Sequence, residues 1–445
     1  MKIRLWVAIS SSVLFSACNL FYKKANFVVD IAPIIHENCS PCHHKYGAGP
    51  FELITYDQIS AKAKTIVAVT SIRYMPPWPA NPHKLHFKNE KILSDKQINI
   101  IKKWVLQGKI KGDLTKLKYP NIKNYTVLGK PDMVIKLPKI KLKGDGKDRF
   151  LIIKLPVTLS NDTFLRSIVF VPDQKQTIHH VNGYILNYQQ VNDDFFKDAK
   201  PVDIESPDFE QELSKLNLFL KGMPLPSRIH SAFNYLPGVF GNSYPEGIGG
   251  FKVKKHFALV CNDIHFGPVF KDTFDQSEIH LFFAKKAPER QTLELMLGTN
   301  GIAAIIPPLV LPPNKITKVQ SSFYLPKSIS VLTVNPHMHL LGKSCKAFAF
   351  KGKDTIEMIS INQWDFRWQY FYTYKQMLKI PAGYTIKVEA VYDNTELNSN
   401  NPFSPPKQIS ERLNLHGAGM KTTDEMLQFI ITYLPYQLGD EKIKL

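Results

Sequence analysis

His337 and His339 sit one residue apart in Pro336-His337-Met338-His339-Leu340-Leu341-Gly342. On a β-strand, positions i and i+2 face the same way, so both imidazoles would reach one metal ion. A softer donor lies far downstream at Met426, in Thr422-Thr423-Asp424-Glu425-Met426. Two imidazoles and a thioether suit copper that must visit the Cu(I) state. Upstream, His179 and His180 are adjacent, and neighbours on a regular strand point to opposite faces. Both serve one metal only where the backbone is irregular; otherwise they are a surface or internally satisfied pair. His265, in Asp263-Ile264-His265-Phe266-Gly267-Pro268, follows the apolar run from Phe257 to Val260. His179, His180 and His265 would make a three-nitrogen site that Cu(II) and Zn both accept.

A second chemistry is written near the N-terminus in His36-Glu37-Asn38-Cys39-Ser40-Pro41-Cys42-His43. Cys-x-x-Cys-His is the attachment signal of a c-type haem, with Cys39 and Cys42 as thioether donors and His43 as proximal ligand. A redox Cys-x-x-Cys or half of a zinc site is the competing reading. Met75, in Arg73-Tyr74-Met75-Pro76-Pro77-Trp78, is the natural distal ligand, and His/Met ligation raises the haem potential. His83 and His86 are alternative sixth ligands; together with His44 they read more simply as surface residues.

The elements that must carry these residues follow from composition and pattern. A chain of 445 residues exceeds one core and divides into about three units. Proline (31) outnumbers glycine (23), and Phe and Tyr are abundant, which favours short strands and turns over long helices. Residues 1–17 carry Lys2 and Arg4, an apolar run from Leu5 to Phe15, and small residues before Cys18. That is an export signal rather than a spanning helix. Leu14-Phe15-Ser16-Ala17-Cys18 resembles a bacterial lipoprotein box, with Cys18 as the lipidated residue and a lipid anchor in the membrane. The expected location is the bacterial cell envelope, periplasmic or on the outer membrane. The net charge is +19, or +17 once Lys2 and Arg4 leave. It reads first as a solvated surface, then as affinity for an anionic envelope or an acidic redox partner. No nucleic-acid motif is present. Cys261 and Cys345 either pair or remain buried thiols.

Thr55 with Gln58 and Ser94 with Gln97 are capping boxes, and Gly108 is a helix stop. Residues 27–113 are therefore expected to be a small all-α cytochrome c-like haem domain. Residues 114–149, rich in Lys and Pro, read as a linker. Short apolar runs mark strands at 150–155, 165–170 and 181–186. Others lie at 293–297, 302–306, 331–334, 345–350, 386–391 and 427–434. The aromatic stretch 362–370 reads as core packing. The expected fold is multidomain, the all-α unit followed by two all-β sandwich (jelly-roll-like) domains, 150–286 and 287–445.

Residues 150–440 resemble the copper type II, ascorbate-dependent monooxygenases, which include the peptidylglycine and dopamine hydroxylases. The marks are His179-His180, Pro245-Glu246-Gly247, His265, His337-Met338-His339-Leu340-Leu341-Gly342, Tyr392-Asp393-Asn394 and Thr423-Asp424-Glu425-Met426, in that order. The resemblance implies two β-sandwiches, each holding one copper ion across an open, solvent-filled cleft. His179, His180 and His265 would hold the electron-storing copper. His337, His339 and Met426 would hold the catalytic copper, where O2 is activated and a substrate C–H is hydroxylated. It also implies an electron donor, ascorbate or a redox protein, and a small-molecule or peptide substrate. Two departures stand out. The peptide-hydroxylating members carry an arginine two positions before the first histidine of the His-x-His pair, where this chain has Asn335. Their Asn and Tyr after the ligand Met correspond to Gln428 and Ile430, which argues against a peptidylglycine substrate. The fused cytochrome is expected to feed electrons to the first copper. The competing reading is a non-enzymatic haem- and copper-binding electron-transfer lipoprotein.

Overall fold

The computed structural model describes residues 24–445 except 46, 83–85, 121–127, 198–199, 240–243, 246 and 412–420. The signal segment, Cys18, His83 and Glu246 lie outside the described residues. Among those described, no helix is long and apolar enough to cross a membrane.

The N-terminal unit is helical. Both capping boxes form: Thr55 and Ser94 accept from the N–H groups of Gln58 and Gln97, whose side chains reach back to the cap N–H groups. They start the helices Tyr56–Ala61 and Asp95–Leu106 by satisfying donors that a helix start leaves unpaired. Gly108 follows the second helix at φ +84°, the left-handed turn that ends it. Ile98, Ile101 and Trp104 bury one face of that helix against Phe27, Ile35, Ile59 and Ile66. Each fully buried large side chain there contributes roughly 1.5–3 kcal/mol.

Two antiparallel β-sandwiches follow. In the first, a five-stranded sheet runs in the order Val202–Asp203, Arg149–Thr158, His256–Phe266, Ile178–Tyr188, Ser227–Tyr235. It packs on a four-stranded sheet of Met133–Lys136, Glu278–Phe283, Thr163–Val171 and Phe251–Val253, with Ile185, Phe257 and Leu259 meeting Leu165, Phe170 and Leu281 between them. In the second, one sheet holds Leu293–Gly298, Gln428–Pro435, Ile329–His337 and Tyr372–Ile380. The other holds Lys315–Tyr324, Thr385–Asn394, Gly342–Lys351 and Asp354–Ile361. Cys261 and Cys345 are free, buried thiols, one in each sandwich core.

Several expectations need correction. The stretch 114–149 is more than a linker: Met133–Lys136 pairs with Glu278–Phe283, and Ile140–Leu142 pairs with Thr273–Asp275. Residues 302–306 form no strand. They follow the turn at Gly298 and Gly301 and run into Pro307 and Pro308, which lack an N–H, leaving only a bridge between Ile306 and Gln320. The helical unit is also not separate. Ala80 and Phe87 belong to the core of the second sandwich, Phe87 bridges to Tyr374, and Asn81 N donates to Ser360 O at 2.8 Å.

The His-bearing sheets of the two sandwiches present their outer faces to each other. Glu294 from the second accepts from the backbone N–H groups of His230 and Ser231 in the first, at 2.6 and 2.9 Å. The segment after Asp354–Ile361, carrying Trp364, Phe366, Trp368, Gln369 and Tyr370, threads between them.

Candidate metal centres

The first cluster sits on the outer face of the five-stranded sheet. Ile178 lies opposite Phe266 and His180 opposite His265, so His179 is an extra residue in its strand. This bulge is the irregularity that two adjacent histidines need to reach one place. The rings of His179 and His180 lie 4.7 and 5.1 Å from that of His265. His179, His265 and Asp148 each bring a donor atom within 4.8 Å of the others, a potential metal site. His180 is not in that group; its Nε2 donates to Asp263 Oδ2 at 2.7 Å. His265 Nε2 likewise donates to Asp148 Oδ1 at 2.9 Å, and Phe150 stacks on its ring at 4.2 Å. These bonds put the lone pair of each ring on Nδ1, and both Nδ1 atoms are buried without a partner among the described residues. Gly267 leaves room for His179, since a Cβ there would stand 2.6 Å from its Nε2.

The second cluster differs from the strand geometry expected of His-x-His. The strand Ile329–His337 ends at its first histidine, and His339 lies beyond it. The two rings still come together, 5.2 Å apart and nearly perpendicular. Hydrogen bonds, rather than strand alternation, set them. His339 Nδ1 donates to Asp424 O at 2.9 Å, and His337 Nδ1 donates to Gln369 Oε1 at 2.6 Å. The Gln369 orientation is fixed by its Nε2 donating to Phe366 O and its Oε1 accepting from Asn182. Both histidines are thereby left with an unprotonated Nε2, the form a metal binds. Met426 lines the same cavity, of about 110 Å³. Glu425 ties the parts together by accepting from the N–H groups of His339 and Leu341, at 3.0 and 2.6 Å, from the position next to Met426.

Burial keeps His179, His265, His337 and His339 neutral, as metal ligation requires. Burial, reinforced by His339, pulls His337 down to about 3. Burial and the nearby His180 pull His265 down to about 4. His179 and His339 are lowered by burial as well. For Asp263, burial pushes the carboxyl up, but the pairing with His180 outweighs it and holds it at about 2.

Between the two clusters lies a cavity lined from both sandwiches, and the stretch 362–371 supplies part of its wall: the Phe366 ring stands edge-on to both His180 and His339, at 5.5 and 5.6 Å. Gln369 touches His337 and lies 3.5 Å from His180 Nε2. Trp364 and Tyr370 do join the core of the second sandwich, with Trp368 packed against it, while Phe366 stands between the clusters. Asp148, Asp263 and Gln369 escaped the sequence reading. Only Asp263 carried a signal, standing two residues before His265 on the same strand.

Cys39, Cys42, His43 and Met75 line one cavity of about 350 Å³ in the helical unit. His43 Nδ1 donates to Phe51 O at 3.0 Å, which leaves its Nε2 unprotonated. Residues of both sandwich regions complete the wall, among them His179 from the first cluster and Trp368, the neighbour of Gln369. His86 is 59% exposed and hydrogen-bonds Glu90.

Comparison with solved structures finds PNGF-II at 10% identity and a TM-score of 0.20, covering 70% of this chain. The chain spans 63% of the length of that protein. The infectious bursal disease virus VP2 subviral particle matches at 9% identity and a TM-score of 0.18, over 69% of this chain and 73% of that one. No curated protein matches the chain. Residues 292–404 match the family model of the copper type II ascorbate-dependent monooxygenase, C-terminal domain. The matched segment contains His337, His339 and the 362–371 stretch and stops before Met426. The match is a likeness of that segment to the C-terminal domain of those copper enzymes.

Proposed function

We propose that the chain is a copper monooxygenase that hydroxylates a substrate C–H with O2 and draws its electrons through a c-type haem. The observation that carries this is the second cluster: two neutral imidazoles with free Nε2 atoms and a thioether on one cavity wall, each imidazole fixed from behind. Copper bound there would supply Cu(II)/Cu(I) redox chemistry and O2 activation. His337, His339 and Met426 would hold it, the soft sulfur favouring the reduced state. A second copper would be held by His179 and His265 Nδ1, with His180 Nδ1 as third donor and Asp148 backing the His265 ring from its Nε2. Gln369 and the Asp424 carbonyl orient the rings, and Phe366 stands edge-on to a histidine of each cluster.

The cavity lined by Cys39, Cys42, His43 and Met75 suits a covalently held haem, with the His43 imidazole and the Met75 sulfur as axial donors. That His179 and Trp368 stand in the same wall supports electron delivery into the first copper site, replacing or relaying ascorbate. The alternative is a haem- and copper-binding electron-transfer protein of the cell envelope. It is favoured by the small space of about 110 Å³ between the clusters. Export and lipidation at Cys18 belong to both readings.

The test is copper per haem in the haem-loaded chain after removal of excess metal, followed by O2-coupled product formation. Two coppers per haem, falling to one in a His337→Ala/His339→Ala variant, support the monooxygenase. Two coppers with no O2 consumption under reducing conditions across a substrate panel leave the electron-transfer protein. No tightly held copper refutes both.

A further inference from the structure

The cavity beside His337, His339 and Met426 has a second wall that metal binding does not use. It comes from the first sandwich, where Ser227–Tyr235 pairs with Ile178–Tyr188. Gly183 lies opposite Phe233 and Ile185 opposite Ile229, so Tyr184 alone faces His230, Ser231 and Ala232. This slip turns Arg228, Ser231 and Tyr184 towards one space, and all three line the cavity. Arg228 stacks its guanidinium on the Tyr184 ring at 4.3 Å, and no carboxylate among the described residues pairs with it. Tyr184 Oη and Ser231 Oγ, on residues 5% and 4% exposed, have no hydrogen-bond partner among the described residues. A buried hydroxyl left unpaired costs about 1–3 kcal/mol, so two beside an unpaired arginine form a donor set that a ligand would satisfy.

We propose that Arg228, Tyr184 and Ser231 form an anion subsite, and that the substrate carries a carboxylate or similar oxyanion held from the first sandwich. A guanidinium fork and two hydroxyls are the donor types that a planar oxyanion accepts from. Asn335 stands on the opposite wall, where it adds a polar side chain but no charge. Asp263 also lines the cavity; His180 engages its Oδ2 while its Oδ1 has no partner among the described residues, so a carboxylate shared with His180 faces an Arg228 that pairs with no carboxylate. Phe366 and Phe371 supply an apolar flank for the substrate body. The proposal deepens the monooxygenase reading and rests on it only for what the bound group is there to do.

The experiment uses the full chain, metal-free and then copper-loaded, and three probes of one shape: benzoate, benzamide and benzylamine. Binding is followed by calorimetry or ligand-observed NMR, with copper content measured in the same samples. Benzoate is expected to bind at least tenfold more tightly than the other two. Arg228→Gln should reduce it to the level of benzamide, and Arg228→Lys should keep part of the preference. Tyr184→Phe and Ser231→Ala, which remove one oxygen each, should weaken benzoate about three- to tenfold; they decide the matter if Arg228→Gln fails to fold. Equal binding of the three probes, a preference for benzylamine, or benzoate binding indifferent to these variants would overturn the subsite. A chain that binds benzoate through Arg228 but takes up no copper would overturn the monooxygenase reading and leave the subsite in place.

Discussion

Replacing Gln369 by leucine removes one side chain that three parts of the molecule share. Gln369 is 2% exposed. Its Oε1 accepts from His337 Nδ1 and Asn182 Nδ2, and its Nε2 donates to Phe366 O. Leucine keeps the bulk and leaves two donors and one carbonyl without a partner. Each such group costs about 1–3 kcal/mol when buried, and His337 and Asn182 are only half-buried. The sum, reduced by what a leucine gains on burial, is a loss of about 2–4 kcal/mol. Denaturant unfolding of the metal-free chain would read it as a lower midpoint with an unchanged slope. A second effect is local. His337 loses the acceptor that fixes its tautomer, and removal of such a partner typically weakens metal binding 10–100-fold. A chelator-competition titration should show that weakening at the second centre while the first, whose histidines bond Asp148 and Asp263, keeps its affinity. A stability loss below about 1 kcal/mol, or both coppers held as in the parent, would refute the view that Gln369 links the sandwiches and orients His337.

Other perturbations test separate parts of the picture. Burial pulls the Lys154 ammonium down to about 8, only partly offset by Asp194, while its Nζ donates to Asn217 O. Between about 8 and the ordinary 10.5 the unfolded chain holds a proton that the folded one has lost. Folding stability should therefore rise with pH across that window, and Lys154→Met should abolish the rise and match or exceed the parent at pH 7, as read by thermal unfolding. Gly298 has φ +89°, and a Cβ there would lie 2.0 Å from Leu427 O. Gly298→Ala should cost about 2–4 kcal/mol and loosen copper at the neighbouring Met426. Burial pushes the Asp440 carboxyl up, but Arg290, Ser330 and the Gln437 N–H outweigh it and hold it at about 2. Its contribution is present above the ordinary 3.8 and is lost as pH falls through 2; an Asp440→Asn variant should lack that acid-sensitive loss and be less stable at pH 7 by about 2–3 kcal/mol. In the haem-loaded protein, Met75→Leu should lower the reduction potential, measured by equilibrium redox titration, because a thioether ligand raises it. An unchanged potential would remove Met75 from the iron.

What the sequence disclosed is what short-range chemistry encodes. The two capping boxes are reciprocal bonds across three residues, so their partners are visible in the letters. Apolar runs such as 181–186 and 386–391 become strands because alternation and β-branching are local. His337 and His339 could be paired by their spacing, and Met426 joined to them only through the family resemblance. The rest is non-local. Whether His179 and His180 act together depends on a one-residue slip against Phe266 and His265, which no pattern in 178–180 records. Ser227–Tyr235 lacks clean alternation because its own slip turns Ser231 to the same side as Arg228. Gln369 reads as one polar residue among aromatics until Asn182 and His337, 155 residues apart, close on it from both sides.

The seating of Phe87 beside Tyr374 has a consequence for how the chain is made. Residues 80–90 emerge from the ribosome early, but the core that receives Ala80 and Phe87 is not complete until strand Tyr372–Ile380 appears roughly 290 residues later. The helical unit can close its own core around Trp104 at once, yet it must carry an unsheltered apolar loop through the synthesis of the whole first sandwich. A cut anywhere in 114–149 would strand that loop on one fragment and its socket on the other. The unit of inheritance is therefore the entire chain: neither the helical segment nor the second sandwich could be exchanged for a homologous piece without rebuilding the seat of Phe87.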